Sequence, residues 1–162
     1  PVIFIEHKML YERVGWVPET EYTVPFGKPL TVKRGTDVTI LSWLHTGQLA
    51  RLAASELTKV GIAAEVILPQ TLHPLDTTPI INSVKKTGRI VIVEEEMLRG
   101  GVGSEMAAMF AQTLPGCRVT RLAAKNTAVP AAPEHQRLIL PTASEIIAVC
   151  REICAPATSH FS

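Results

Sequence analysis

Apolar and polar positions along this chain follow two periods, one typical of strands and one typical of helices. Continuous apolar and β-branched runs occur over 38–43, 64–68 and 89–95. Such runs predict strands that are buried on both faces of a sheet. Residues 30–33 alternate between apolar and polar, which is typical of a half-exposed edge strand, and shorter runs predict further strands over 1–6 and 117–123.

Between these strands, apolar residues recur at helical spacing. It predicts helices over 47–60, from Thr77 or Thr78 to Lys86, over 104–114, and from a Thr142 cap to Cys154. Residues 7–27, 69–76 and 124–141 are predicted to be loops, and the tail from Ala155 is predicted to fray. The alternation predicts an α/β fold with a mostly parallel sheet, helices on both faces, and an antiparallel edge strand formed by a hairpin over 30–43.

Length, charge and cysteine content limit the classes of protein to which this chain can belong. The chain has 162 residues, 46% of them apolar, and 16 Lys and Arg against 15 Asp and Glu. This length predicts one domain, and the near-neutral charge argues against a nucleic-acid partner. No apolar run is long enough to predict a membrane span. Three cysteines, an odd number, indicate a reducing compartment such as the cytoplasm or, in a eukaryote, the mitochondrial matrix. The chain begins inside a strand-like run with no visible leader, as a piece of a longer protein would.

A glycine-rich turn follows the run at 89–95. Arg99, Gly100, Gly101 and Gly103 lead directly into the helix predicted at 104–114. Free N–H groups at a helix N-terminus favour an anion, so this turn is a candidate anion site. The glycines match neither the dinucleotide fingerprint nor a P-loop. The alternative interpretation is an ordinary strand-to-helix connection without a ligand.

Further candidates lie where predicted strands end, because ligands of such sheets gather at the carboxyl ends of strands. His45 is a candidate base or a hydrogen-bonded turn residue, and Glu94 to Glu96 form a solvated rim, an ion pair or a magnesium-binding cluster. No spacing by itself specifies catalysis. The full set of strand-end candidates is Trp43, His45, Thr46, His73, Asp76, Glu95, Glu96, Arg99 and Asn126.

Several separated motifs also occur in a specific order. They are Phe4-Ile5-Glu6-His7-Lys8-Met9-Leu10-Tyr11, Tyr22-Thr23-Val24-Pro25-Phe26-Gly27-Lys28, Gly35-Thr36-Asp37-Val38, Gln70-Thr71-Leu72-His73-Pro74-Leu75-Asp76 and Gly100-Gly101-Val102-Gly103-Ser104-Glu105. Together they resemble the β subunit of thiamine diphosphate-dependent 2-oxo acid dehydrogenases of the pyruvate, branched-chain or acetoin type. The resemblance implies a three-layer α/β/α sandwich with a five-stranded sheet whose first strand is antiparallel.

The same resemblance implies how the chain divides and what it does. Residues 1–28 would be the end of the pyrimidine-binding domain and a linker arm, 29–155 a transketolase C-terminal domain, and 156–162 a flexible tail. Thiamine diphosphate and magnesium would belong to the parent enzyme and not to this chain alone. The implied partners are an α subunit, a second β subunit and the subunit-binding domain of an acyltransferase core, without nucleic acid or membrane.

The chain departs from the family at strand ends. Trp43-Leu44-His45-Thr46 stands where an aromatic residue followed by glycine is usual, and Asn126 stands where aspartate is frequent. Two other functions stay open: a stand-alone module binding an anion or nucleotide, and the C-terminal domain of another transketolase-like enzyme.

Aromatic residues are concentrated at the start of the chain. The arm over 1–28 is too irregular to bury them in its own helix, so we expect an interface there, with a second β subunit as the implied partner. The alternative is that the arm folds back over its own sheet. The predicted interface residues are Phe4, Tyr11, Trp16, Tyr22 and Phe26.

Overall fold

A computed structural model describes residues 1–156 as one five-stranded sheet covered by helices. The predicted tail over 156–162 lies outside the described residues except for its first position. No helix within 1–156 has the length and apolar character needed to cross a membrane. The strands are β1 (Leu30–Lys33), β2 (Val38–Ser42), β3 (Ala64–Leu68), β4 (Arg89–Met97) and β5 (Arg118–Ala124). The helices are α1 (Leu44–Lys59), α2 (Thr78–Thr87), α3 (Val102–Thr113), α4 (Pro133–Gln136) and α5 (Ala143–Cys154).

The strand order is β1-β3-β2-β4-β5, with β1 antiparallel to β3 and the remaining neighbours parallel. The predicted fold class, a mostly parallel five-stranded sheet with one antiparallel edge strand, is confirmed. The predicted hairpin over 30–43 is wrong, because β3 lies between β1 and β2. The four residues 34–37 are long enough to connect β1 to β2, a distance of two inter-strand spacings of about 4.8 Å each. They pass over the start of β3, where the Thr36 and Asp37 amides both donate to Ala63 O at 2.9 Å.

The sheet separates two apolar layers, which completes the α/β/α sandwich. On one face, α1 and α5 pack on the strands through small and branched side chains, among them Ala50, Ala54, Leu57 and Ile146. The opposite face packs against α2 and α3, with Phe110 as its largest fully buried side chain. The central strands are buried on both faces, as continuous apolar runs predict.

Element ends differ from the predicted ones where tertiary contacts decide them. Helix α1 begins at Leu44 and not at 47, and the Thr46 hydroxyl donates to Trp43 O at 2.8 Å within its first turn. The predicted cap of α5 is confirmed as a capping box between Thr142 and Glu145. The predicted loop over 124–141 contains the short helix α4.

The predicted strand over 1–6 is wrong. These residues are exposed, and no strand within 1–156 pairs with them. A strand needs a neighbour that takes up its backbone hydrogen bonds, and apolar composition alone does not supply one. The predicted irregular connector over 7–27 contains a 3₁₀ turn at Lys8–Leu10 and, at its end, an isolated β-bridge between Gly27 and Leu75.

Candidate functional site

The glycine turn after β4 places two glycines against the strand that precedes it. Gly101 is the N-cap residue of α3 and has an ordinary φ of −67°, while Gly100 has a left-handed φ of 82°. A Cβ added to Gly101 would stand 2.8 Å from Glu94 Oε2 and 2.9 Å from Met97 O. At Gly103 a Cβ would clash with the Glu94 carboxylate. Both glycines are therefore required for close packing on β4.

The N-terminus of α3 already has an anion from within the protein. The Glu94 side chain is fully buried, and its Oε2 accepts a hydrogen bond from the Gly103 amide at 2.8 Å. Arg121 on β5 forms an ion pair with Glu94 Oε1 and donates to Leu98 O at 2.7 Å. A buried carboxylate needs such compensation by positive charge and hydrogen bonds. An external anion at this turn stays a prediction, and the Gly103 amide has no free hydrogen for it.

The three consecutive glutamates at the end of β4 do not converge on one point. Side chains alternate along a strand, so Glu95 leaves the sheet opposite to its neighbours. Glu94 binds Arg121, Glu95 binds His7 at 2.7 Å, and Glu96 accepts from Trp43 Nε1 at 3.3 Å. Each carboxylate therefore has its own partner on a different element.

His45 takes part in a cluster that joins the N-terminal arm to the domain. Its ring stacks on the ring of His7 with 5.2 Å between centroids and 16° between planes. His7 Nε2 in turn lies 2.7 Å from Glu95 Oε2. Burial lowers the pKa of His45, and His7 and Arg13 act in the same direction against the neighbouring Glu95. Burial thus favours the neutral imidazole of His45.

The other strand-end candidates lie in separate places. The Arg99 amide donates to Asn126 Oδ1 at 2.9 Å, so these two exposed residues close the turn after β4. Hydrogen bonds from the side chain and the amide of Thr78, the latter at 3.0 Å, lower the pKa of Asp76 just before α2. His73 is exposed in the loop before α2. The structure therefore brings His45 to Glu95 but does not join either to the glycine turn.

The predicted interface residues are exposed on the arm. Phe4 is 84% exposed and Trp16 88% exposed, and Tyr11, Tyr22 and Phe26 are each more than half exposed. The large apolar side chains of the arm therefore do not cover its own sheet, although His7 contacts Glu95 at the end of β4. Its end is held at Gly27, whose amide donates to Thr71 Oγ1 at 2.7 Å.

Sequence reasoning missed two residues that matter at this edge of the sheet. Arg121 lies inside the predicted strand over 117–123, and a basic residue that is buried in a strand requires an acidic partner. For His7 the sequence carries no such signal, because its partners are on β4 and α1.

The comparisons with known proteins agree with this architecture. The family model described as "Transketolase, C-terminal domain" matches residues 27–146. The chain is 38% identical over 155 residues to "Acetoin:2,6-dichlorophenolindophenol oxidoreductase subunit beta" of Cupriavidus necator, covering 94% of this chain and 46% of that relative. It is also 38% identical over 157 residues to "Pyruvate dehydrogenase E1 component subunit beta" of Rickettsia felis, covering 95% and 48%.

A solved structure shares the fold. "Split gene transketolase, inactive beta4 tetramer" superposes with a TM-score of 0.75 at 26% identity, covering 86% of this chain and 45% of that one. The chain spans about half the length of the curated relatives it matches.

Proposed function

The chain belongs to the transketolase C-terminal domain family, and we propose that it is the C-terminal domain of a 2-oxo acid or acetoin dehydrogenase β subunit. In this proposal the parent enzyme oxidatively decarboxylates a 2-oxo acid with thiamine diphosphate. The domain itself holds subunits together and docks the enzyme to its acyltransferase core. The observation that carries the assembly role is the exposed apolar arm.

The arm concentrates apolar surface outside the domain's own core. Among residues 2–26, every large hydrophobic side chain except Leu10 is more than half exposed. A soluble monomer rarely exposes a contiguous apolar patch of more than a few hundred Å². Aromatic residues such as Trp16 and Tyr22 are also the side chains that most often anchor protein interfaces. A second copy of the chain is the partner that we assign to this surface.

Two attachments fix where the arm leaves the domain. His7 holds its beginning to Glu95, and the amide and carbonyl of Gly27 hold its end to the loop before α2. Between these points the apolar side chains project from a backbone that is held at both ends. Such pre-organisation reduces the entropy lost when a partner binds.

The glutamates at the end of β4 do not form a site for magnesium. Glu94 is committed to Arg121 and to the Gly103 amide, and Glu95 is committed to His7. Within 1–156, no group of three or more His, Cys, Asp or Glu side chains is arranged to hold a metal ion. In this proposal the thiamine diphosphate and magnesium of the parent enzyme bind to other parts of that enzyme.

The two alternative functions have weaker support. A stand-alone anion-binding module would need the N-terminus of α3, where Glu94 already accepts from the Gly103 amide. Another transketolase-like enzyme is represented by a structural relative at 26% identity, below the 38% of the acetoin and pyruvate dehydrogenase subunits. These observations favour the dehydrogenase β subunit.

Sedimentation velocity of the purified chain tests the assembly role. We expect a defined dimer for the intact chain and a monomer for a chain starting at Pro29. A Phe4→Ser/Trp16→Ser variant should weaken the dimer, whereas Leu52→Ser, which changes a residue of α1 that is 56% exposed, should not. A monomeric intact chain, or a dimer that persists in the truncated chain, would contradict the role of the arm.

A second experiment tests docking and the α subunit. Calorimetric titration of the chain with a purified subunit-binding domain of an acyltransferase core should give saturable binding. Co-expression with a dehydrogenase α subunit should give a co-purifying complex. Thiamine diphosphate with magnesium should give no saturable heat with the isolated chain. Saturable cofactor binding, or the absence of both protein complexes, would contradict the proposal.

A further inference from the structure

The N-terminal arm contacts the domain through a short stretch near its start. Residues 1–6 and 11–17 are exposed, whereas His7 between them is partly buried. The 3₁₀ turn at Lys8–Leu10 follows at once and lies beside α1. His7 caps this turn, because its Nδ1 accepts a hydrogen bond from the Met9 amide at 3.2 Å. The attachment of the beginning of the arm therefore depends on the His7 ring.

Three side chains form this attachment, and we call His7, His45 and Glu95 the latch. The His7 ring stacks on His45 of α1 with 5.2 Å between centroids, and His7 Nε2 lies 2.7 Å from Glu95 Oε2. Because His7 Nδ1 accepts from the Met9 amide, it carries no hydrogen in this arrangement. The hydrogen of the neutral ring is then on Nε2 and is donated to Glu95. The docked arm thus satisfies both nitrogens of an uncharged His7 ring.

The charges around the latch are mostly positive. The titratable and charged groups that face the His45 ring are His7 and Arg13 from the arm and Glu95 from β4. On α1 the next charged residue is Arg51, about 9 Å further along the helix axis. The Glu6 carboxylate accepts from Tyr11 on the arm at 2.9 Å. Glu96 leaves β4 on the opposite face and accepts from the Trp43 indole. Glu95 is therefore the one carboxylate that faces His45.

Acidification adds charge that the latch does not balance. With both rings protonated, three cations (His7, His45 and Arg13) would surround the single carboxylate of Glu95. The two imidazolium charges would lie in rings stacked 5.2 Å apart. A hydrogen on His7 Nδ1 would also face the Met9 amide and break the hydrogen bond that caps the turn. Burial of His45 acts in the same direction, since it disfavours the charged ring and lowers its pKa.

We propose that the latch is a pH-sensitive device, which holds the arm to the domain at neutral pH and releases it below about pH 6. Within the latch, histidines are the groups whose ordinary titration falls between about pH 5 and 8. Release would leave the arm attached at Gly27, where its amide donates to Thr71 Oγ1. The contact lies within one chain, so the latch does not depend on the assembly role.

NMR spectroscopy of the full chain tests the release directly. At about pH 7.5 we expect NOEs between the ring protons of His7 and His45, and a backbone at 8–10 as rigid as that of α1 by heteronuclear NOE. At about pH 5 the ring contacts should disappear and residues 8–10 should become mobile, while α1 stays rigid. The same titration of a Phe4→Ser/Trp16→Ser variant, in which the proposed dimer is weakened, separates release of the arm from dissociation of two chains.

Two variants of the latch should move the midpoint of release in opposite directions. His45→Phe keeps a ring for stacking but takes up no proton, so release should move to lower pH by about one unit or more. Glu95→Gln keeps an acceptor for His7 Nε2 but removes the negative charge, so release should move to higher pH. His135→Phe changes an exposed histidine of α4 and should leave the midpoint unaltered.

Several results would overturn the proposed latch. One is a ring contact that persists at about pH 5, or that tightens on acidification as a simple ion pair between protonated His7 and Glu95 would. Others are the lack of a ring contact at about pH 7.5, or the same midpoint in His45→Phe as in the unaltered chain. The titration of the unaltered chain gives a decision even if a variant fails to fold.

Discussion

The buried pair between Glu94 and Arg121 should be a major determinant of the stability of this domain. Glu94 is 0% exposed and Arg121 is 14% exposed, so water cannot replace either partner. Arg121→Met removes the positive charge but keeps much of the apolar stem. Leaving a buried carboxylate uncompensated costs about 3–5 kcal/mol, whereas losing a surface ion pair costs about 1 kcal/mol or less. We expect Arg121→Met to lose about 3–5 kcal/mol, which corresponds to a drop of about 10 °C in the melting temperature.

A double-mutant cycle separates the charge from the packing. In Glu94→Gln/Arg121→Met the neutral amide still accepts from the Gly103 amide, and no charge is buried. The double variant should therefore recover most of the loss and lie within about 2 kcal/mol of the unaltered chain. The two single changes should be strongly non-additive, since the residues share one network.

Urea denaturation followed by circular dichroism measures these differences. The slope of the transition should stay constant across the variants, so that the midpoint reports stability. Arg51→Met serves as the control, because Arg51 is exposed on α1 and its replacement should change stability by less than about 0.5 kcal/mol. A loss of under about 1 kcal/mol in Arg121→Met, or additive single changes, would refute the argument from burial.

Three further outcomes follow from the strand ends. Gly101→Val should destabilise the domain by about 1–3 kcal/mol in urea, because its side chain would meet Glu94 and neighbouring backbone, whereas Gly15→Val should be neutral since nothing lies within 4 Å. Leu44 has a φ of 50° and packs against the core, so Leu44→Gly should cost less stability than Leu44→Ala by about 1 kcal/mol, because both lose the packing and only glycine relieves the strain; a larger loss in Leu44→Gly would contradict strain at this position. Burial lowers the pKa of His45 below its ordinary 6.5, so its contribution to stability is present above that pH and is lost as the pH falls. The melting temperature should therefore fall less steeply between about pH 7.5 and 5 in His45→Gln than in the unaltered chain. An equal pH dependence in the two proteins would exclude this contribution.

Local patterns in the sequence determined most of the elements and the fold class. The largely apolar runs at 38–43, 64–68 and 89–95 correspond to β2, β3 and β4, because a central strand is buried on both faces and has no solvent-exposed side. Thr142 predicted the start of α5, because a capping box is a contact between residues three apart. The family was likewise apparent from the order of short motifs. Each of these features depends on neighbours along the chain.

Strand pairing was decided only in three dimensions. The alternating run at 30–33 predicted an edge strand but not its neighbour, since a short turn permits either a hairpin or a passage over an intervening strand. The run at 1–6 has the composition of a strand but lacks one to pair with. A strand is stabilised by its partner's backbone, and the partner's identity is not encoded locally.

The site was also decided by the tertiary structure. In the sequence, Glu94, Glu95 and Glu96 form one acidic cluster, but the alternation of side chains along β4 sends them to partners on three different elements. The glycine turn predicted an anion, and Glu94 on β4 supplies one from within the protein. The sheet order places β5 beside β4, so that Arg121 can pair with this buried carboxylate. Charge and burial at such a point depend on residues far apart along the chain. The sequence therefore indicated where chemistry could lie, and only the packing decided which groups are already paired.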